Sequence, residues 1–548
     1  MRADLGTSEL HRPFGAISSC DEIETRAPAL ATPPAVTNHI RRKKIERTMK
    51  NIYLTIICIL GFSNIYFAQA QGVEENPYEV YLTKQKELNQ SLSTFFYGNY
   101  FKMYSLNEVE FINTIDSLRK GYIKLLENFK NDNPDFDKTV IFNESKEIQY
   151  SFDKLLVEYP YYHERFTGEQ IAINKRLEQN FSDFNNPQLL SIEPYIEYLK
   201  AFLYAQSNIE LQQENYKKID NQKLTSTFNL IEKHFSNQEA LDYLKYYYLN
   251  HHIDNFGIKN IEKLYDNFIN TCEDTSYTNK IKGVYTEELN GRKNHLIKTY
   301  KTVDNFDLEI HLFLPENVKR QEKRPVIVYF SGGSWSEGKP DWNFYSCQSY
   351  AKKGWVGVTV EYRLADRHGT LPFEAVMDAK SAIRWLRENA DEYNIDPERI
   401  VASGNSAGGH LVLATALVEN WNEKTDNINF SCIPNVLLVN SGVYDLTEEH
   451  SWIRAALKKR NLDENLVIEI SPNSLTQRKL PPTLLIHGTN DRNVAFSTAV
   501  DFVEKMNISG NNIVFKPIEN AGHFIWWGQY GKKVAEIREN YLKEIEYE

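Results

Sequence analysis

The sequence predicts an α/β C-terminal half, a mostly parallel central sheet flanked by helices, preceded by an all-helical region. Three observations carry that prediction. From about Tyr285 onward, short apolar segments alternate with helical patterns, the arrangement that gives a sheet covered on both faces. Before that point, apolar residues recur at helical spacing in a stretch poor in Gly and Pro. Finally, the apolar run Ile400-Val401-Ala402-Ser403 ends in Gly404-Asn405-Ser406-Ala407-Gly408 and restarts as a helical pattern from His410 to Leu417.

Taken in chain order, residues 1–48 are polar, Arg-rich and without periodicity, and read as a non-native or disordered extension. Met49-Lys50-Asn51 then opens onto the apolar run Ile52 to Leu60, closing with Ala68-Gln69-Ala70. A charged start, a short apolar core and a small-x-small site read as a signal peptide over 49–70, with Met49 as the start. The apolar core is short for a membrane span; a retained signal anchor is the alternative. Export, periplasmic or secreted, is the expectation.

Residues 71–284 are expected to form a helical domain of unknown role. Ser105-Leu106-Asn107-Glu108 has the form of a capping box. Beyond it, Phe111, Ile112, Ile115, Leu118, Tyr122, Leu126 and Phe129 follow one helical face. Further helices are expected around Leu155, Tyr195 to Leu203, Leu224 to His234, Ala240 to Tyr248 and Ile261 to Phe268. The adjacent pair His251-His252 faces two sides of a helix and reads as structural.

Residues 285–548 are expected to form one α/β domain. Its strands are predicted at Leu308 to Leu314, Val326 to Phe330, Val356 to Tyr362, Ile400 to Gly404, Val436 to Ser441, Thr483 to Gly488 and Ile513 to Ile518. The formal charge of −11, with no basic face in the pattern, argues against nucleic acid as a partner. Cys272, Cys347 and Cys432, the cysteines left after residue 70, lack metal or redox spacing and allow at most one disulfide.

Four pieces of the C-terminal half carry chemistry. A strand ending in Gly-x-Ser-x-Gly projects the Ser406 hydroxyl from a sharp bend. Ser331-Gly332-Gly333-Ser334-Trp335, at the end of another strand, is a turn whose amides can converge on an oxygen bearing developing charge. Asp491, just past His487-Gly488, is placed to orient an imidazole, with Asp445 as a rival acid. His523, in Asn520-Ala521-Gly522-His523-Phe524, follows the last strand. The order Ser, Asp, His matches one of the three common serine-triad orders and excludes the other two.

With these motifs, and with Glu361-Tyr362-Arg363-Leu364, Trp385-Leu386-Arg387-Glu388-Asn389 and Ile395-Asp396-Pro397-Glu398-Arg399-Ile400, the stretch from about Val303 to Tyr541 resembles the α/β-hydrolases. Within them it is most similar to hormone-sensitive-lipase-like esterases and their acetyl- and feruloyl-esterase relatives. The resemblance implies an α/β-hydrolase fold, with Ser406 as nucleophile, His523 as general base and Asp491 as orienting acid. It also implies an oxyanion hole from the amides of Gly333, Ser334 and Ala407. One departure stands out: the family usually has His-Gly-Gly-Gly where this chain has Ser331-Gly332-Gly333-Ser334.

The expected activity is hydrolysis of carboxylic esters without metal or organic cofactor, on small-molecule or carbohydrate-linked esters. Trp335 and Tyr362 are candidate substrate-binding residues, and Trp342, Trp452, Trp526 and Trp527 also lie near the expected loops. A prolyl-oligopeptidase-like peptidase is the alternative enzyme. A reading of another class is a binding protein whose helical half carries the function; in the first reading that half is a lid or interaction module.

Overall fold

The computed structural model describes residues 76–169, 171, 183–211, 219–316, 322–447 and 450–547. The extension read over 1–48 and the signal peptide read over 49–70 lie outside them. No helix among the described residues is long and apolar enough to cross a membrane.

The described chain forms two compact units. One holds residues 76–103 and 109–149, with helices α1 (Pro77–Phe95), most of α2 (Tyr100–Tyr104) and α3 (Glu108–Asp132), and the start of α4 (Lys138–Thr167). The expected stripe of α3 packs inward at Phe111, Ile115, Tyr122, Leu126 and Phe129, while Ile112 and Leu118 sit half-buried at its border. The Glu144 carboxylate joins α4 to α1 by accepting from Tyr78 Oη at 2.7 Å, Tyr81 Oη at 2.9 Å and Gln85 Nε2 at 2.9 Å.

The second unit runs from Tyr150 onward and includes residues 104–108. It contains α5 (Glu193–Leu211), α6 (Gln222–His234), α7 (Gln238–Phe256), α8 (Glu262–Thr271) and α9 (Thr275–Gly291), then the sheet. These helices share a core built on Tyr198, Leu199, Phe202, Phe228, Leu244, Leu249 and Phe268.

The strands are β1 (Leu296–Val303), β2 (Phe306–Phe313), β3 (Arg324–Phe330), β4 (Val356–Val360), β5 (Ile395–Asn405), β6 (Val436–Asn440), β7 (Thr483–Gly488) and β8 (Ile513–Ile518). They form one sheet in the order β1-β2-β4-β3-β5-β6-β7-β8. β1 and β2 are antiparallel to their neighbours and all other pairs are parallel. Along β3, Val326, Val328 and Phe330 enter the core on one face, while Ile327 and Tyr329 enter that on the other. That two-sided burial is why the central strands read as unbroken apolar runs. The flanking helices are α10 (Phe344–Lys352), α11 (Ala365–His368), α12 (Pro372–Glu388), α13 (Ala407–Leu417), α14 (Ser451–Lys459), α15 (Phe496–Ile508) and α16 (Gly528–Glu544).

Buried charges tie the pieces together. Asp378 on α12 receives Lys301 Nζ of β1 at 2.6 Å and three guanidinium contacts from Arg363. Asp220, preceding α6, accepts from Arg367 at 2.6 and 2.8 Å, and Lys259 reaches Glu361 at 2.7 Å. Fully bonded buried ions fix geometry more than they add stability, and removing one partner is costly.

His252 stacks on Phe256 at 4.8 Å, and burial pushes its imidazole down to about 3. Burial likewise pushes His410 down to about 4. Both stay neutral in the folded chain but bind a proton near pH 6.5 once unfolded. The unfolded state therefore binds more protons between about pH 4 and 6.5, so stability should fall as pH drops through that window. Denaturant unfolding of the wild type and a His410→Gln variant checks this, the variant losing part of the slope.

Candidate active site

The parallel strands deliver their C-terminal ends to one edge of the sheet. Asn405 of β5 pairs with Asn440 of β6, Asn440 with Ile486 of β7, and Gly488 with Ile518 of β8. Ser406 is the first residue past β5 and precedes α13. Its φ of 54° and ψ of −121° lie outside the ordinary range for a residue with a Cβ, a strain of about 1–3 kcal/mol that the surroundings must hold. Ser406 N donates to Asn440 O at 3.0 Å, and His410 N donates to Ser406 O at 3.0 Å. Gly408 makes the bend possible, because a Cβ there would lie 2.1 Å from Phe330 O.

Asp491 lies in the turn after β7. Its Oδ1 accepts from Asn493 N at 2.9 Å and Val494 N at 3.0 Å, and its Oδ2 meets His523 Nδ1 at 2.7 Å. His487 Nε2 approaches the same Oδ2 at 3.2 Å and Val494 O at 3.1 Å. Burial pushes the carboxyl up, but the hydrogen bonds from His487, His523 and the Val494 amide outweigh it and hold it well below the usual carboxylate range. Since the carboxylate accepts, His523 carries its proton on Nδ1 and leaves Nε2 as the basic nitrogen.

The Asp and His loops meet because Gly488 lets the chain after β8 approach. A Cβ at Gly488 would fall 2.4 Å from both Ala521 O and Gly522 O. Asn490 N to Ala521 O and Thr489 N to Ile518 O then lock the two turns together.

The structure thus brings Asp491 and His523 into contact. Ser406 stands at the same sheet edge, with β6 between its strand and β7; two strand spacings are about 10 Å of backbone. No hydrogen bond among the described residues joins Ser406 Oγ to His523. Asp445, the rival acid, accepts instead from Thr447 N at 2.7 Å and Thr447 Oγ1 at 2.6 Å, closing its own turn.

The loop after β3 lies against the serine: a Cβ on Gly332 would sit 3.4 Å from Ser406 Cβ. Gly333 has φ 107°, and Ser334 and Trp335 have φ 54° and 57°, so three successive residues carry positive φ. No hydrogen bond of the described residues uses the N–H groups of Gly333, Ser334 or Ala407.

Trp335 and Tyr362 do not lie where a substrate-binding reading would put them. They are 1% and 2% exposed. The Trp335 ring packs edge-on to His410 at 5.0 Å and His450 at 5.4 Å. Tyr362 Oη donates to Ser331 O at 2.8 Å. Both brace the loop, because a large ring beside a glycine turn fills the space the turn leaves. The exposed aromatics near His523 are Phe524 at 53% and Trp527 at 71%. Ile525 between them is buried, and Trp527 N donates to Phe524 O at 3.2 Å in a tight turn.

The second imidazole on Asp491 was not foreseen from the sequence as an Asp partner. Its signal is the spacing of His487 and Asp491, which a tight turn brings face to face. Among the described residues no group of His, Cys, Asp and Glu is arranged to hold a metal ion. Cys272, Cys347 and Cys432 are all free thiols.

Residues 310–506 match the family model BD-FAE. Esterase LipC of Mycobacterium tuberculosis is 30% identical over 213 residues, 36% of this chain and 52% of that protein. An acetylxylan esterase of Xylanibacter ruminicola is 26% identical over 255 residues, 45% of this chain and 50% of that protein. The chain thus spans about half the length of the curated relatives it matches. A thermophilic esterase from Thermogutta terrifontis has a solved structure at 33% identity, aligned over 47% of this chain and 94% of that one with a TM-score of 0.44. With the mostly parallel sheet order above, the C-terminal half has an α/β-hydrolase fold and is similar over residues 310–506 to the BD-FAE family.

Proposed function

We propose that this chain hydrolyses carboxylic esters through Ser406, His523 and Asp491, acting after export with residues 49–70 removed. The Asp491–His523 bond of 2.7 Å, at the edge where strained Ser406 stands, carries the reading. Small side-chain and loop adjustments on substrate binding would supply the missing serine–imidazole bond, which is often long in a free enzyme.

In this mechanism His523 Nε2 takes the Ser406 proton as Oγ attacks the acyl carbon. The carbonyl π pair moves onto oxygen, and the unengaged N–H groups of Gly333, Ser334 and Ala407 receive that charge. Collapse of the tetrahedral intermediate expels the alcohol, which takes the proton from imidazolium. Water, deprotonated by His523, then releases the acid and restores the hydroxyl. Asp491, held ionised, stabilises the imidazolium and fixes the ring.

A fluorophosphonate probe tests this. Intact and peptide mass spectrometry of the exported protein should find one label, on Ser406, on a chain beginning at Gln71. Labelling elsewhere, or ester turnover that survives full labelling, overturns the reading.

For the substrate, we infer an ester with a bulky ring-bearing group, carbohydrate or aromatic, next to the base. Phe524, its ring 5.3 Å from that of His523, and Trp527 in the same turn are both exposed, and aromatic faces lining a site are suited to stack on a substrate ring. Trp527→Ala should raise KM several-fold for an acetylated xylo-oligosaccharide while leaving the ring-free ester ethyl acetate within twofold. Equal effects on both esters would remove the assignment.

A further inference from the structure

The loop that carries Gly333 and Ser334 does not stand on the sheet alone. Its far limb is bonded to the C-terminal turn of α7, at three consecutive carbonyls. Gly338 N donates to Asn255 O at 3.0 Å, Lys339 Nζ to Ile253 O at 3.0 Å, and Trp342 Nε1 to Asp254 O at 3.2 Å. Asp254 O and Asn255 O lie in the last turn of the helix, where intrahelical donors run out, while Ile253 O also accepts from Gly257 N at 3.1 Å. The Lys339 ammonium, only 5% exposed, also meets Glu288 Oε1 on α9 at 2.6 Å. A cation there complements the negative end of the helix dipole.

The far limb in turn fixes the near one. Gly338 has φ 142°, and a Cβ on it would lie 2.8 Å from both Gly332 O and Ser331 Oγ. Any shift of residue 338 therefore pushes directly on the residues that lie against Ser406. Ser331, itself buried, is packed into this contact. A second attachment lies on the loop's middle: Ala365 N donates to Trp335 O at 2.9 Å and Asp366 N to Ser336 O at 3.2 Å. Asp366 is itself paired with Lys223 of α6 at 3.1 Å, and the neighbouring Arg367 with Asp220.

We propose that the helices from α6 to α9 are a built-in clamp for the oxyanion loop, with Lys339 and Glu288 as positioning residues for the acyl-transfer step. This rests on the assignment of Gly333 and Ser334 as oxyanion donors. Neither Lys339 nor Glu288 touches the reacting atoms; they act by holding Gly338 against Gly332. A displaced donor loses stabilisation realised only in the transition state, so the effect belongs in kcat and not in KM.

The test uses the full chain with Lys339→Met, Glu288→Gln and the double substitution, assayed on p-nitrophenyl acetate well below the thermal unfolding midpoint of each. Expected are a fall of about tenfold or more in kcat with KM within twofold, an equal fall in the fluorophosphonate labelling rate, and a double variant little worse than either single one. Folded variants with unchanged kcat and labelling rate, while Ser406→Ala is inactive, overturn the clamp and leave the esterase reading standing. Activity surviving in Ser406→Ala strikes the esterase reading instead. Should Lys339→Met not fold, Trp342→Phe removes the bond to Asp254 O without leaving a buried carboxylate unpaired; unchanged kcat and labelling rate there and in Glu288→Gln would equally reject the proposal.

Discussion

Ser406→Ala is expected to lower ester turnover by at least roughly 10³-fold, and by as much as about 10⁶ where the rest of the site is intact. In the proposed mechanism the residue supplies the only protein atom that bonds to the acyl carbon. What remains in the variant is stabilisation of the oxyanion by backbone amides, which can still help a bound water attack. The substrate contacts proposed for Phe524 and Trp527 are untouched, so KM should move little. Removing a hydroxyl from a strained residue should also leave the fold intact or slightly more stable. A kcat within tenfold of the parent in a folded variant would end the nucleophile assignment.

Gly408→Ala is the substitution expected to damage the fold most. The new Cβ would lie 2.1 Å from Phe330 O and 2.6 Å from Ser331 O, both backbone atoms with nowhere to go. Helix α13 and the end of β3 must separate, and that separation opens the oxyanion loop and the bend at Ser406 together. Overpacking against backbone belongs to the class of changes that cost about 4 kcal/mol or more. Gly283→Ala is the matched control: it lies inside α9 and a Cβ there meets nothing within 4 Å. That change should stabilise by about 0.5–1 kcal/mol, because alanine loses less backbone entropy in a helix. Denaturant unfolding of the two variants should move in opposite directions. Similar shifts in both would mean that the close approach at residue 408 does not govern the site.

The central strands were legible because burial on both faces leaves a local signature. β7, buried along its whole length, appears where its apolar run predicts it, Thr483–Gly488. β1 was not expected at all. It lies at the sheet edge with half of its residues exposed and the adjacent pair Tyr300-Lys301 buried, so no alternation marks it. The first residues of β5 were also missed, since Asp396-Pro397-Glu398-Arg399 is polar and lies in the irregularity between the pairs Arg324–Ile395 and Val326–Ile400.

Side-chain roles divide in the same manner. Asp445 and Asp491 both follow a strand and look alike in one dimension, and only the folded chain puts an imidazole beside one of them. Trp335 and Tyr362 look like substrate contacts because they adjoin the loops; their burial is a property of what packs over them. The bonds from α7 to Gly338, Lys339 and Trp342 join residues more than eighty positions apart, a distance at which no periodicity carries information.

By itself the sequence indicated that Ser406, Asp491 and His523 each follow the end of a strand, because strand, turn and glycine patterns are written in neighbouring residues. The tertiary structure decided which carboxylate meets the imidazole, which aromatics face solvent, and that helices far up the chain grip the loop beside the serine. Those outcomes depend on distances between segments whose approach is set by packing and loop closure, and a linear string does not contain them.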